Sequence, residues 1–323
     1  MANKNLIHCN PKLFDKDLTG NTYLVTGANS GVGLETTKQL IKQGAKVIMA
    51  CRRPEAAEKE AIAFELLKGG FDIHSCDLTQ FESVRSLVAY VYSSYEKIDG
   101  LICNAGMVNM KNKAVYTNDG FEITMATSIY GHFLLTELLL DLLKKSEDGR
   151  MIILSSVVHA GSPKNRYRLH FDDLDWKNRK YNNFAAYGEA KVASVLYAKE
   201  LSIRLKNTNV TTYSVHPGWA RSNFGGGGNL IINALLVITK PIFKILNISD
   251  SSWESSQTTL HCLLSDDAKN HSGAYFSQHS VLYQDKDCKK GGWPMKSPNP
   301  YANNLEDAQR LVDICKIIVS LDK

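Results

Sequence analysis

Short runs that are apolar at nearly every position alternate along this chain with longer stretches whose apolar residues recur every three or four positions. The short runs are TYLVTG (Thr22–Gly27), KVIMAC, FDIHSCDL, DGLICNAG, RMIILSS and VTTYSVHPG, with GAYFS near Gly273 as a seventh. They read as strands. Between them, Val32 to Gln43 carries Leu34, Thr37, Leu40 and Ile41 on one helical face, with Gly44 as its stop. Glu55 to Lys68 reads as a second helix, opened by Pro54 and closed by Gly69 and Gly70. Phe81 to Glu96, Phe121 to Lys145 and Ala185 to Lys206 read as further helices. Strands that are apolar throughout must be covered on both faces, so the expected fold is α/β, a doubly wound parallel sheet flanked by helices. No Pro/Ser-rich linker and no repeat divides the chain, which predicts a single domain over 1–323 with 1–17 as an N-terminal extension.

Composition narrows the class. The chain has 323 residues, 44% hydrophobic and 22% charged, which is ordinary globular usage and not that of a disordered chain. A net charge of +5 without a dense Lys/Arg block argues against nucleic acid as a partner. The seven cysteines are odd in number and none are spaced as a CxxC pair, so reduced thiols in the cytoplasm are expected, with neither disulfides nor a metal site. The first residues contain no apolar leader core, so no secretory signal is expected. Leu230 to Ile248 is apolar but broken by Asn233, Lys240, Pro241 and Lys244. That is too interrupted to span a bilayer and suits a helix grazing a membrane surface, or an ordinary core-packing helix.

The chemistry begins where the first strand turns into the first helix, through TGANSGVG. Gly27, Gly31 and Gly33 allow close backbone approach to a pyrophosphate, and the helix N-terminus aims free N–H groups at the anion. The second strand ends in ACRRPE. The position where an acid would bind a ribose 2′-hydroxyl falls on Cys51, and Arg52 and Arg53 follow. Arginines at this place suit a 2′-phosphate, which points to NADP(H) rather than NAD(H); the plainer alternative is two solvated arginines at a helix start. Asp77 in CDL could hold an adenine amine, and Asn104 in CNAG could bridge backbone to cofactor. In YGEAK, Tyr187 and Lys191 lie one turn apart on one helical face. A cationic Lys beside a phenol is expected to lower its pKa from about 10 toward working pH. His216, at a strand end, reads as structural.

TGANSGVG, CNAG, YGEAK and HPG, in that order, resemble the short-chain dehydrogenase/reductase superfamily and its Rossmann-like fold. VIMACRR, GHFLLTELLLDLL, ILSSVVHAG and HPGWARSNF are closer to its retinol-dehydrogenase-like branch, which includes the oxidoreductase domain of the WW-domain-containing oxidoreductase; no WW domain precedes the motifs here. The match runs from about Leu18 to the last helix. The resemblance implies an oxidoreductase that interconverts a lipophilic alcohol and its aldehyde or ketone, of retinoid, steroid or lipid type. It implies Tyr187 as acid in reduction and base in oxidation, Lys191 on the nicotinamide ribose, and Ser156 on the carbonyl oxygen as charge builds there. Gly27, Ser30, Gly31, Val32 and Gly33 would cradle phosphates; Asp77, Leu78 and Asn104 would flank adenine and ribose; Pro217, Gly218 and Ser222 would shape the nicotinamide side. Dimers and tetramers are common in the superfamily, so a homo-oligomer fits as well.

Two features depart from the pattern. Family members carry an Asn three residues before the Gly of GHF, where it binds a water in a proton relay. Here Ser128 stands there, shorter and with fewer hydrogen-bonding sites. Either Ser128 is tolerated, or catalysis is weakened and the chain serves as a cofactor-binding scaffold. The stretch between Ser156 and Tyr187 is also long for the superfamily and reads as a solvated loop, or as a lid or an interaction surface. Residues 219–250, glycine-rich and then apolar, are expected to cover the substrate. GFEITMATSIYGHFLL also resembles light-dependent protochlorophyllide reductase, but that family has Cys directly after its Pro-Gly, where this chain has Trp219.

Overall fold

In the computed structural model, residues 6–64, 67–219 and 251–321 are described. Eight strands form one sheet in the order β3-β2-β1-β4-β5-β6-β7-β8. They are β1 (Thr22–Thr26), β2 (Lys46–Cys51), β3 (Gly70–Ser75), β4 (Gly100–Cys103), β5 (Gly149–Leu154), β6 (Val210–His216), β7 (Tyr275–Ser277) and β8 (Gly292–Met295). The first seven are parallel to their neighbours; β8 runs antiparallel to β7. The apolar runs sit in the middle of this sheet: all of β1, β4 and β5 is buried. The doubly wound α/β architecture expected from the sequence is present as a single domain.

Two apolar layers cover the sheet. On one face lie α1 (Gly31–Lys42), α2 (Pro54–Ala61) and α6 (Ser252–Leu264); on the other lie α3 (Phe81–Ser94), α4 (Ile123–Lys144), α5 (Asn183–Arg204) and α7 (Leu305–Ile318). α4 is long and apolar enough to cross a membrane, but 78% of its apolar window is buried inside the fold, as a core helix requires. All seven cysteines are free thiols.

Several elements differ from the sequence expectation. The second helix stops at Ala61 and continues as a 3-10 turn, Ile62–Phe64, instead of running to Lys68. Only Ala57 and Ala61 of α2 are buried, too narrow a stripe to hold a longer helix. β8, α6 and α7 lie beyond the elements that the hydrophobic pattern predicts. α6 opens with a capping box, in which Ser251 and Glu254 each bond the other's backbone N–H. α7 is capped by Asn304 and buries Ala308, Leu311, Val312 and Cys315 at helical spacing. The N-terminal residues pack rather than trail: Ile7 exchanges two hydrogen bonds with the Gln278 side chain, and Leu6 and Cys9 are buried.

Candidate functional site

The C-terminal ends of the parallel strands carry most of the residues that the motifs single out. Between β1 and α1 the chain turns through Gly27 at φ +64° and Gly31 at φ +59°, a region that disfavours any side chain. Gly33 is required for a different reason. A Cβ there would lie 2.5 Å from both the Gly27 carbonyl oxygen and Asn104 Nδ2. Ser30 is the N-cap of α1 but makes no side-chain cap, and the first turn holds no acid. The first-turn N–H groups are therefore left for an anion, so this loop fits a pyrophosphate. Val32 is buried beneath it.

Asn104 ties the loop to the next strand. Its Nδ2 donates to the Thr26 carbonyl at 2.7 Å, while Thr26 Oγ1 accepts from the backbone N–H groups of Asn104 and Ala105 at 2.9 and 3.0 Å. Thr26 Oγ1 also meets His132 Nε2 at 2.8 Å. The motifs assign no role to Thr26 or His132. Thr26 has a signal, as the first letter of the glycine motif, whereas His132 is one of nine histidines in the chain and no spacing distinguishes it.

At the end of β2 the Cys51 thiol is buried and accepts from the backbone N–H groups of Ala28 and Asn29, and burial pushes its pKa up to about 11. A neutral thiol thus faces the glycine loop where an acid would repel a phosphate. Arg52 and Arg53 are exposed, and neither joins an ion pair with a described residue. Both guanidinium groups remain available to an anion beside the loop. Asp77 Oδ1 accepts from the Thr79 N–H and hydroxyl at 2.9 and 2.7 Å. The carbonyl of Leu78 packs so closely on Gly131 of α4 that a Cβ there would collide with it.

The second cluster joins β5 to α5. The buried Tyr187 hydroxyl is hydrogen-bonded to the Ser156 side chain. Ser156 Oγ also accepts from the Val158 N–H at 3.3 Å, as N-cap of a short turn. Lys191 is buried, donates from Nζ to the Leu154 carbonyl at 2.9 Å, and lies 5.6 Å from the centre of the Tyr187 ring. Two of its N–H groups remain for other acceptors. Ser155 Oγ bonds the Lys191 carbonyl at 2.8 Å and pins the helix to the strand. Pro217 and Gly218 follow β6 at the same sheet end, Gly218 at φ +97°. Ser222 and residues 220–250 of the substrate-covering segment lie outside the described residues.

Burial corrects one expectation. Lys191 does not draw the Tyr187 phenol down; loss of solvent pushes it up to about 12, and the same burial lowers Lys191 to about 8. Burial shifts both groups toward their neutral forms, although Lys191 near 8 stays mainly cationic at neutral pH. The segment between Ser156 and Tyr187 is also not a solvated loop. Leu169, Leu174 and Trp176 are buried, Arg179 lies 3.8 Å over the Trp176 ring, and its two terminal nitrogens bond Glu189 at 2.9 Å each. The Tyr167 ring fills the space that a side chain at Gly188 would need.

His159, three residues past Ser156, is an unexpected support. Its Nδ1 meets the Ser156 carbonyl at 2.5 Å and its Nε2 meets Ser297 Oγ at 2.7 Å, while Asn299 Nδ2 donates to its carbonyl at 2.7 Å. No spacing rule marks it, because Ser297 and Asn299 lie far along the chain. Burial lowers His132 and His159 to about 4 and His216 to about 3. Neither ring nitrogen of His216 has a hydrogen-bond partner among the described residues.

Between pH 6.5 and these lower values the unfolded chain binds more protons than the folded one, so the histidine contribution to stability is lost as pH falls through that window. Buried Glu122 and Glu189 and partly buried Asp175 are raised and oppose this trend. The difference between variants isolates it. His216→Leu should raise the melting temperature and flatten its fall between about pH 6.5 and 4 relative to wild type. Parallel curves for the two proteins would contradict the burial of a neutral His216.

The comparisons agree with the geometry. A family model described as short chain dehydrogenase matches residues 21–166. Human retinol dehydrogenase 13 is 36% identical over 297 residues, covering 91% of this chain and 83% of that protein. Bovine retinol dehydrogenase 12 is 36% identical over 308 residues, covering 94% and 88%. Among solved structures, an uncharacterised protein from Mycobacterium paratuberculosis superposes with a TM-score of 0.71 at 26% identity, covering 94% of this chain and 95% of that one. A short-chain type dehydrogenase/reductase from Mycobacterium marinum shares the fold with a TM-score of 0.64 at 21% identity, covering 83% and 96%. By these relatives, by the glycine loop and by the Ser156–Tyr187–Lys191 cluster, the chain belongs to the short-chain dehydrogenase/reductase family of oxidoreductases, in its retinol-dehydrogenase-like branch.

Proposed function

We propose that the protein is an NADP(H)-dependent oxidoreductase that interconverts a lipophilic alcohol and its aldehyde or ketone. The observation that carries this reading is the buried Tyr187 hydroxyl bonded to Ser156, with Lys191 one turn along the same helix. Bound nicotinamide cofactor supplies or accepts the hydride. Tyr187 and Ser156 together would hold the substrate oxygen, Ser156 donating a hydrogen bond as negative charge grows and Tyr187 giving or taking the proton. Lys191 would hold the nicotinamide ribose. Gly27, Ser30, Gly31, Val32 and Gly33 would hold the phosphates, and Arg52 and Arg53 the 2′-phosphate. Retinoid, steroid or lipid carbonyls suit the branch to which the relatives belong. The test is NADPH oxidation followed by nicotinamide absorbance with a panel of long-chain, retinoid and steroid carbonyls against small polar aldehydes. Preference for the lipophilic set is expected; preference for the small polar set would overturn the substrate class.

A second reading, a cofactor-binding scaffold with little turnover, is favoured by one observation. Ser128 sits in a π-turn of α4, Ala126–Tyr130, and its Oγ is buried without a hydrogen-bond partner among the described residues. If that short side chain weakens proton relay, Ser128→Asn should raise kcat by about tenfold, within the range of a proton-transfer effect. Cofactor affinity should not change. Unchanged kcat would remove Ser128 as the cause of weak turnover.

A further inference from the structure

A cleft of about 640 Å³ opens between the C-terminal half of α5, the approach to β7, strand β8 and the start of α7. It shares no lining residue with the Ser156–Tyr187–Lys191 cluster. Its walls include Val195, Met295 and Leu305, and Leu305 is 53% exposed at the rim. Lys199 and Lys296 both line it, and no acidic side chain among the described residues does. Lys199 Nζ donates to Asn303 Oδ1 at 3.1 Å, a neutral partner that leaves its charge uncompensated. Burial lowers the Lys199 pKa, and the nearby charge of Lys296 lowers it further.

Lys199 is half-buried and is also repelled by the charge of the exposed Lys296. An anion between them would relieve both costs through charge-assisted hydrogen bonds. The adjoining apolar wall gives an alkyl body somewhere to be buried, and the volume matches that of small-molecule sites. We propose that this cleft binds an amphipathic organic anion, its carboxylate or phosphate head between Lys199 and Lys296 and its alkyl body against Val195, Met295 and Leu305.

Isothermal titration of the full chain with decanoate, decyl phosphate, decanol, acetate and inorganic phosphate tests this. Decanoate or decyl phosphate should bind about tenfold more tightly than decanol, a difference of about 1.4 kcal/mol. Acetate and inorganic phosphate should bind more weakly than the alkyl anions. The better of the two alkyl anions identifies the head group. Lys199→Met with Lys296→Met should abolish the advantage over decanol. Lys296→Gln alone, at an exposed position, should reduce it several-fold, in keeping with the loss of one charge-assisted bond. Equal affinity for decanol and both alkyl anions would overturn the proposal. So would a preference that the lysine substitutions leave intact, because the anion would then lie elsewhere, the substrate site included. Acetate or inorganic phosphate binding as tightly as the alkyl anions would reduce the cleft to a plain ion site and refute the amphipathic ligand.

Discussion

Tyr187→Phe should lower turnover by about three orders of magnitude while leaving NADPH affinity within about twofold, since a positioned general acid contributes roughly 10²–10⁴ in rate. Phenylalanine preserves the ring packing and removes only the hydroxyl bonded to Ser156. With its pKa pushed up to about 12, Tyr187 holds its proton at neutral pH and is ready to act as an acid. In the oxidation direction the same group must first lose that proton, so oxidation should accelerate with rising pH while reduction does not. Lys191, lowered to about 8 by burial, still carries its proton at neutral pH. Steady-state kinetics in both directions, alongside nicotinamide fluorescence titration, check the prediction. A Tyr187→Phe protein that keeps more than about a tenth of wild-type kcat would exclude Tyr187 from proton transfer.

Arg52→Ala with Arg53→Ala should weaken NADPH binding by about a hundredfold and NADH binding by no more than about threefold, on the basis of roughly 1.5–3 kcal/mol for each hydrogen bond to a charged group. The two arginines flank the opening of α2, where helix N-terminal polarity disfavours cations and no described acid pairs with them. That placement would suit an arriving anion. Cys51 supports it by presenting a neutral thiol to the glycine loop where a carboxylate would repel the 2′-phosphate. Competitive fluorescence titration of both cofactors against both proteins gives the result. An equal loss for NADPH and NADH would mean that the arginines serve general charge, not phosphate recognition.

Much of the site is legible in the residues alone. The glycines at 27, 31 and 33 stand out because a tight strand-to-helix turn leaves few alternatives to glycine, and Gly27 and Gly31 do sit at positive φ. Tyr187 and Lys191 pair because helical spacing alone places them on one face. Asp77 stands out by type and strand-end position, while the bonds from Thr79 to its Oδ1 are a short-range contact that a strand pattern does not show. The long segment before Tyr187 reads as solvated because it is rich in charged and polar residues. Arg179 and Glu189 neutralise each other under cover of Trp176, which composition cannot report.

The alternation of strands and helices through most of the chain, the double covering of the sheet and the glycine turn after β1 follow from local rules. Those rules are periodicity, backbone freedom at glycine and the spacing of side chains on one helix. The protonation of Tyr187 and Lys191 follows no local rule, because burial outweighs the proximity of one group to the other. Nor does any local rule lock the Ser156 turn through His159 to Ser297 and Asn299, or bring Lys199 and Lys296 to one cleft. His159 and Ser297 stand 138 residues apart in the chain, and only the closing of β7, β8 and α7 onto α5 brings such partners within reach.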